Sequence, residues 1–355
     1  MADTAGIVRA AGIAGEEPVD YRAVMRDGHW LAHRYDPGAD VVRFVRLSRA
    51  DHARATFITD EYLPADRPTL ALHRGEAVAS ASAPARLHLV LHSAFCCSTL
   101  VARAFDLPGI ATALKEPVLL NDLVGCRRQG MDPERLAPLL RDALILLARP
   151  LQSGEAVVVK PSNVVNGLAP AMMAMRGDIH ALILYAPLRV FLASVARKGM
   201  WGRLWVRELF AGLHAEGLVQ MGFEPGDYIK QTDLQIAAVG WLAQQALFTR
   251  MAARFGDHRI RTIDSEHLLR EPAAAVAAIA RLFGLTIDAA AVAAGPAFTT
   301  SSKTGDTFGA DDRAREQREG LSLHEDEVDK VAIWAEAVAA AANIPLVLPA
   351  PLMKI

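Results

Sequence analysis

The chain has 355 residues and only three cysteines, two of them adjacent. So few thiols exclude a disulfide framework. Cys96, Cys97 and Cys126 also lack metal-ligand spacing, so no metal and a reducing, cytoplasmic setting are expected. Aromatic residues are scarce at 6%, and charge is nearly balanced, with 38 Lys and Arg against 40 Asp and Glu for a net charge of −2. With no overall basic field, nucleic acid is not expected as a partner, and any anion site has to be local. No apolar run approaches the ~20 residues that span a membrane, and the first residues lack a charged start followed by an apolar core. Neither a membrane span nor a signal peptide is therefore expected. Internal repeats are missing as well. What is present is a folded composition, 52% hydrophobic and 22% charged, in a chain long enough for a sizeable core.

The most informative stretch runs from Leu87 to Phe105. Leu87 to Leu91 is almost unbroken apolar sequence and reads as a buried strand. The small residues that follow open into Leu100, Val101, Ala102, Ala104 and Phe105, which read as a helix. The first N–H groups of a helix have no internal partner, and the peptide dipoles leave partial positive charge there, which favours an anion. Cys96, Cys97, Ser98 and Thr99 are small enough to let a phosphate approach the backbone, and two of them add hydroxyl donors. The match to the triphosphatase loop GxxxxGK[ST] is poor. His92 and Cys97 stand where its glycines belong, and Ser98 stands in place of the Lys that neutralises the β and γ phosphates. An ordinary strand-to-helix junction, with Ser98 and Thr99 as plain caps, is the alternative reading.

Along the rest of the chain, strands and helices alternate. His29 to Tyr35 and Val41 to Leu47 flank Asp36-Pro37-Gly38 as a predicted hairpin, and Glu76 to Ala85 reads as a linker. This predicts an N-terminal appendage over 1–85 and a main domain over 86–355. Further strands are expected at Ile110 to Leu114, Ala156 to Val159, His180 to Tyr185 and Arg261 to Ile263. Helices are expected at Pro133 to Ala148, Trp201 to Leu218, Leu234 to Phe255, Pro272 to Leu282 and Glu325 to Ala342, with a loop over Phe298 to Gly320. Alternation of this kind predicts an α/β fold, a mostly parallel sheet with helices on both faces. Ligands of such sheets bind beyond the carboxyl ends of the strands, where Lys115-Glu116-Pro117 and Lys160-Pro161 both fall.

Taken together, these residues resemble the bacterial sulfotransferases, over roughly Leu87 to the final helix. In that family a phosphosulfate loop often reads RSGTTL. Here Phe95 replaces its basic residue, Cys96-Cys97 replace Ser-Gly, and Ser98-Thr99-Leu100 keep the hydroxyl pair and the Leu. Lys160-Pro161, Tyr185-Ala186-Pro187 followed by Ser194, Ser265-Glu266-His267-Leu268 and Leu282-Phe283-Gly284 then follow in the family's order. Two departures stand out: Tyr185-Ala186-Pro187 replaces the family's Arg-Asp-Pro, which removes the Arg that usually grips the 3′-phosphate, and Phe95 removes the usual basic residue of the first loop.

The resemblance implies a three-layer P-loop-type sandwich and transfer of a sulfuryl group from 3′-phosphoadenosine-5′-phosphosulfate to a hydroxyl or amine, without an obligatory metal. It implies that the loop Ser93, Ala94, Phe95, Cys96, Cys97, Ser98 and Thr99 binds the donor. Lys160, Arg189, Ser194 and the late segment Lys303-Thr304-Gly305 would assist, with Arg197 and Lys198 as further sources of charge. Glu116 is the expected base, Lys115 the cation near the bridging oxygen, and His92 the rival base. A small-molecule or carbohydrate acceptor is expected. A nucleotide-dependent kinase or NTPase, or a catalytically silent binding protein of the same fold, are the alternatives.

Overall fold

The computed structural model describes residues 20–300 and 310–353, with the backbone alone over 310–323. Near the N-terminus, β1 (Trp30–Asp36), β2 (Val41–Arg46) and β3 (Thr69–His73) form an antiparallel sheet in the order β1-β2-β3. Asp36 accepts the Gly38 N–H at 2.9 Å and Asp40 lies in the left-handed region, which closes the turn that joins β1 to β2.

The main sheet holds β4 (Leu87–His92), β5 (Ala111–Lys115), β6 (Ala156–Lys160), β7 (His180–Tyr185) and β8 (Ile260–Asp264), all parallel, in the order β5-β6-β4-β7-β8. Every residue of β4, β5 and β6 is buried, which requires cover on both faces of the sheet. The protein is an α/β sandwich. From β4 the chain passes over β6 to β5, whereas β6 and β7 send their connections the opposite way. Such a reversal opens a crevice beyond the carboxyl end of β4.

Several expectations are corrected. The hairpin is a three-stranded sheet, because Thr69–His73 pairs with β2; five residues after Pro68 are too few to announce a strand by alternation. The first half of the linker over Glu76 to Ala85 belongs to a helix, Arg74–Ser80, since its alanines favour helix and Ala77 is buried. A helix at Val118–Arg128, unforeseen in the sequence, buries Leu119, Leu120 and Leu123 directly after Pro117. The loop over Phe298 to Gly320 is wrong at both ends. Pro296–Thr299 is a short helix, and Ala310–Ala341 is helical with a kink at His324, because Ala, Arg, Glu and Gln dominate that stretch.

Residues 20–85 are bonded to the rest of the described chain by charge. Arg34 donates to Asp122 from Nε and Nη2, both at 3.0 Å. Arg49 meets Asp106 at 2.8 Å and the buried Glu155 at 2.5 Å.

Candidate active site

The loop from Ser93 to Cys97 joins β4 to the helix Ser98–Ala104. Ala94, Phe95 and Cys97 have φ of 74°, 52° and 67°, the left-handed region that favours glycine. Cys97 occupies the position at which the resembled loop carries its Gly. Successive residues turned this way aim backbone N–H groups into a common concavity suited to an anion. Such a loop has to be held open by its surroundings.

Those surroundings are polar and buried. His92 Nε2 lies 3.0 Å from the Pro161 carbonyl oxygen, which can only accept, so this nitrogen carries the proton. Nδ1 then accepts the Ala94 N–H at 3.1 Å. Burial holds the imidazole well below its usual pKa, with the charge of Lys160 adding to the effect. His92 is thus a neutral brace with both nitrogens engaged, which leaves the expected rival base no free nitrogen. Asn166 donates to the His92 carbonyl at 2.9 Å and to Gln244 Oε1 at 3.0 Å. Ser93 Oγ accepts the Ala186 N–H at 3.2 Å, Cys96 Sγ donates to the Leu184 carbonyl at 3.2 Å, and Trp241 Nε1 donates to the Ala186 carbonyl at 3.0 Å.

At the mouth, Cys97 is the N-cap of the short helix, with no capping bond from its side chain to that helix. Ser98 is buried and Thr99 half-buried, and neither hydroxyl bonds another described residue, so the plain-cap reading does not hold. Phe95 packs on Phe191 at 5.9 Å and edge-on to Trp205 at 5.2 Å between ring centres. Lys198 Nζ lies 5.6 Å from the Phe95 ring and 5.3 Å from that of Trp201, which brings a cation to the loop where the sequence has lost one.

Beyond β5 and β6 stands a second group. Lys115 and Lys160 are register partners and leave the same face of the sheet. Glu116, at φ 56°, donates its N–H to the Lys160 carbonyl at 2.7 Å, while the Lys160 ammonium returns to Glu116 Oε1. Lys160 is buried and also lies 5.1 Å from the centre of the Phe57 ring, whereas the Glu116 carboxylate keeps 18% of its exposure. The Lys115 ammonium, by contrast, is bound by the carbonyls of Ala55 and Ala53, and its pKa is pushed down to about 8 by burial. Lys115 therefore anchors the segment after the helix Arg49–Arg54, and the Ile58 N–H returns to the Lys115 carbonyl at 2.7 Å.

The remaining expected residues scatter. Arg189 pairs with Asp329 and, at 3.6 Å, with Glu336 on the last helix, away from the loop's polar network. Ser194 donates to the Val190 carbonyl of its own helix at 2.8 Å. Lys303, Thr304 and Gly305 lie outside the described residues, although Thr300 just before them is tied to Arg103 of the loop's helix at 3.1 Å. Sequence reasoning missed Asn166, Gln244, Trp241 and Phe57. For Gln244 a signal existed: it and Gln245 interrupt an otherwise apolar run in the helix Asp233–Phe255.

No family model and no curated protein matches the chain. Among solved structures it is similar to the sulfotransferase domain of the Synechococcus PCC 7002 olefin synthase, at 15% identity over 64% of this chain and 82% of that one, with a TM-score of 0.39. It is also similar to the sulfotransferase domain from the curacin biosynthetic pathway, at 12% identity over 76% and 100%, again with a TM-score of 0.39. A sulfotransferase from Mycobacterium tuberculosis H37Rv is similar at 14% identity over 67% and 77%, with the same score.

Proposed function

We propose that this chain transfers a sulfuryl group from 3′-phosphoadenosine-5′-phosphosulfate to a hydroxyl or amine of a small-molecule or carbohydrate acceptor. One observation carries the reading. The Glu116 carboxylate is bound to the buried Lys160 at the carboxyl ends of β5 and β6, and β6 lies next to the strand whose loop offers three left-handed residues and the hydroxyls of Ser98 and Thr99, which have no partner among the described residues.

The loop fits an anionic group, because backbone turned to positive φ can present N–H groups to an anion, and the Ser98 and Thr99 hydroxyls have no partner among the described residues. The Ser93–Thr99 segment would hold the 5′-phosphosulfate, with Lys198 supplying charge from beside Phe95. In the transfer, the acceptor oxygen or nitrogen forms a bond to sulfur as the sulfur–bridging-oxygen bond breaks, and adenosine 3′,5′-bisphosphate leaves with the electron pair. Glu116 receives the acceptor proton, and Lys160 stabilises the charge that develops nearby. A sulfuryl group carries less charge than a phosphoryl group, so positioned donors meet the need without an obligatory metal.

A catalytically silent nucleotide-binding protein is the competing reading, and it too has an observation in its favour: Arg189 and Lys115 are both engaged elsewhere. Incubation with the donor and a panel of sugars, phenols and amines separates the readings. Sulfated product from the wild type, absent with Glu116→Gln although the nucleotide still binds, supports transfer. Nucleotide binding without product from any acceptor favours the silent protein.

A further inference from the structure

Away from that crevice, a cavity of about 230 Å³ lies between the second half of the helix Asp233–Phe255, the segment around Gln220 and Met221, and the turn that follows the last helix. Among the described residues, Arg250 is the only ionisable side chain that lines it. Elsewhere in the fold arginines close on carboxylates: Arg49 on Glu155, Arg127 on Glu216, Arg203 on Glu327. Arg250 has no hydrogen-bond or ion-pair partner among the described residues. Thr249, also in the wall, has a hydroxyl shut off from solvent and without a partner among the described residues. Gln220, whose Nε2 gives one N–H to the Gly217 carbonyl at 3.1 Å and keeps a second, and Asn343 add amides, and Asn343 is held at φ 54° where the last helix ends. Met221 and Ile344 supply apolar surface.

A cation with no counter-charge among the described residues, neighbouring amides and an apolar floor describe a site for a small carboxylate with a hydrophobic body. We infer that this cavity binds such an acid. The guanidinium pairs with the carboxylate, and Gln220 and Asn343 donate to its remaining lone pairs. Met221 and Ile344 cover the hydrocarbon end. The volume lies below the usual span of ligand pockets and suits a short-chain or single-ring acid. This inference does not depend on the chemistry proposed for the crevice.

The test is calorimetric titration of the full chain with 3-phenylpropanoate, beside 3-phenylpropan-1-ol, each with and without saturating adenosine 3′,5′-bisphosphate. Saturable binding of the acid is expected, with no binding of the alcohol and no competition from the nucleotide. Arg250→Gln should weaken the acid at least tenfold, in line with loss of a charge-assisted bond. Because Arg250 is exposed and unpartnered, this variant should melt with the wild type. Gln220→Ala provides a second variant, with a severalfold loss expected. Absence of saturable binding, equal affinity in Arg250→Gln, equal binding of the alcohol, or displacement by the nucleotide would each overturn the inference.

Discussion

Lys160 and Glu116 grip each other twice: the Lys160 ammonium holds Glu116 Oε1, and the Lys160 carbonyl accepts the Glu116 N–H at 2.7 Å. The second contact fixes the backbone of Glu116 in its left-handed turn, and the first aims the carboxylate. A general base is useful only when its geometry is set before the proton moves. Glu116→Gln keeps the shape and removes the basicity. Turnover should fall by about 10²–10⁴-fold, while affinity for adenosine 3′,5′-bisphosphate stays within a few-fold. Parallel measurement of product formation and nucleotide binding checks both halves.

The same pair has a stability consequence. Lys160→Met retains volume beside Phe57 but leaves the Glu116 carboxylate without its partner, which should cost about 3 kcal/mol. The double variant with Glu116→Gln should cost clearly less than the sum of the two single changes. Denaturant unfolding of all four proteins gives the coupling, and strict additivity would show that the pair is not coupled.

Much of this arrangement was legible in the sequence, but not the meeting itself. Leu87–His92 and His180–Tyr185 declare themselves by apolar runs, and Glu116 and Lys160 stand visibly at strand ends. Their contact depends on β5 lying beside β6, a neighbour relation set by the crossover and not by order along the chain. Lys115 looked equivalent to Lys160, yet the segment Ala53–Ala55 passes over it, about sixty residues away in sequence. The left-handed run at Ala94, Phe95 and Cys97 was hidden for the opposite reason: no glycine marks it, and buried bonds that join distant parts of the chain, among them those of His92, Asn166, Ser93 and Cys96, hold it in place.

That loop makes a distinct prediction. Ala94 stands at φ 74°, where a β-branched side chain is strained and a glycine is not. Ala94→Val should destabilise by about 2 kcal/mol and weaken nucleotide binding, whereas Ala94→Gly should stay within about 1 kcal/mol of the wild type. Thermal unfolding with and without nucleotide tests the order.

The brace beneath the loop can be loosened without touching any ligand-facing group. Asn166→Ala leaves the buried His92 carbonyl and Gln244 Oε1 without their donor, at a cost of about 1–3 kcal/mol. Affinity for the nucleotide should fall, with the acceptor's KM little changed. Hydrogen exchange at Ala94 should become faster, because its amide is fixed through the same histidine.

Burial also sets an acid limit on the fold. His88 is stacked on Phe283 at 4.7 Å between ring centres, and its pKa is pushed down to about 3 by burial, while His52 is pushed down to about 4 for the same reason. Both are neutral in the fold and take up protons when unfolded, so their stabilising effect is complete above about pH 6.5 and is lost as pH falls below it. At pH 5 each should cost about 2 kcal/mol relative to pH 8. His88→Leu should flatten the pH dependence of unfolding between pH 6.5 and 4 by roughly one proton, which denaturant melts across that range would show.

The central claim is that the loop after β4 binds the donor nucleotide beside Glu116, and thermal-shift titration tests it most directly. The titrants are adenosine 3′,5′-bisphosphate, ATP with Mg²⁺, and sulfate alone. A ligand at 100 times its dissociation constant stabilises a fold by about 2.7 kcal/mol, a rise of a few degrees for a chain of this length. The account predicts that rise with adenosine 3′,5′-bisphosphate, its loss in Ala94→Val, and none with ATP and Mg²⁺. A rise with ATP and Mg²⁺ alone, or none with any of the three, would contradict it.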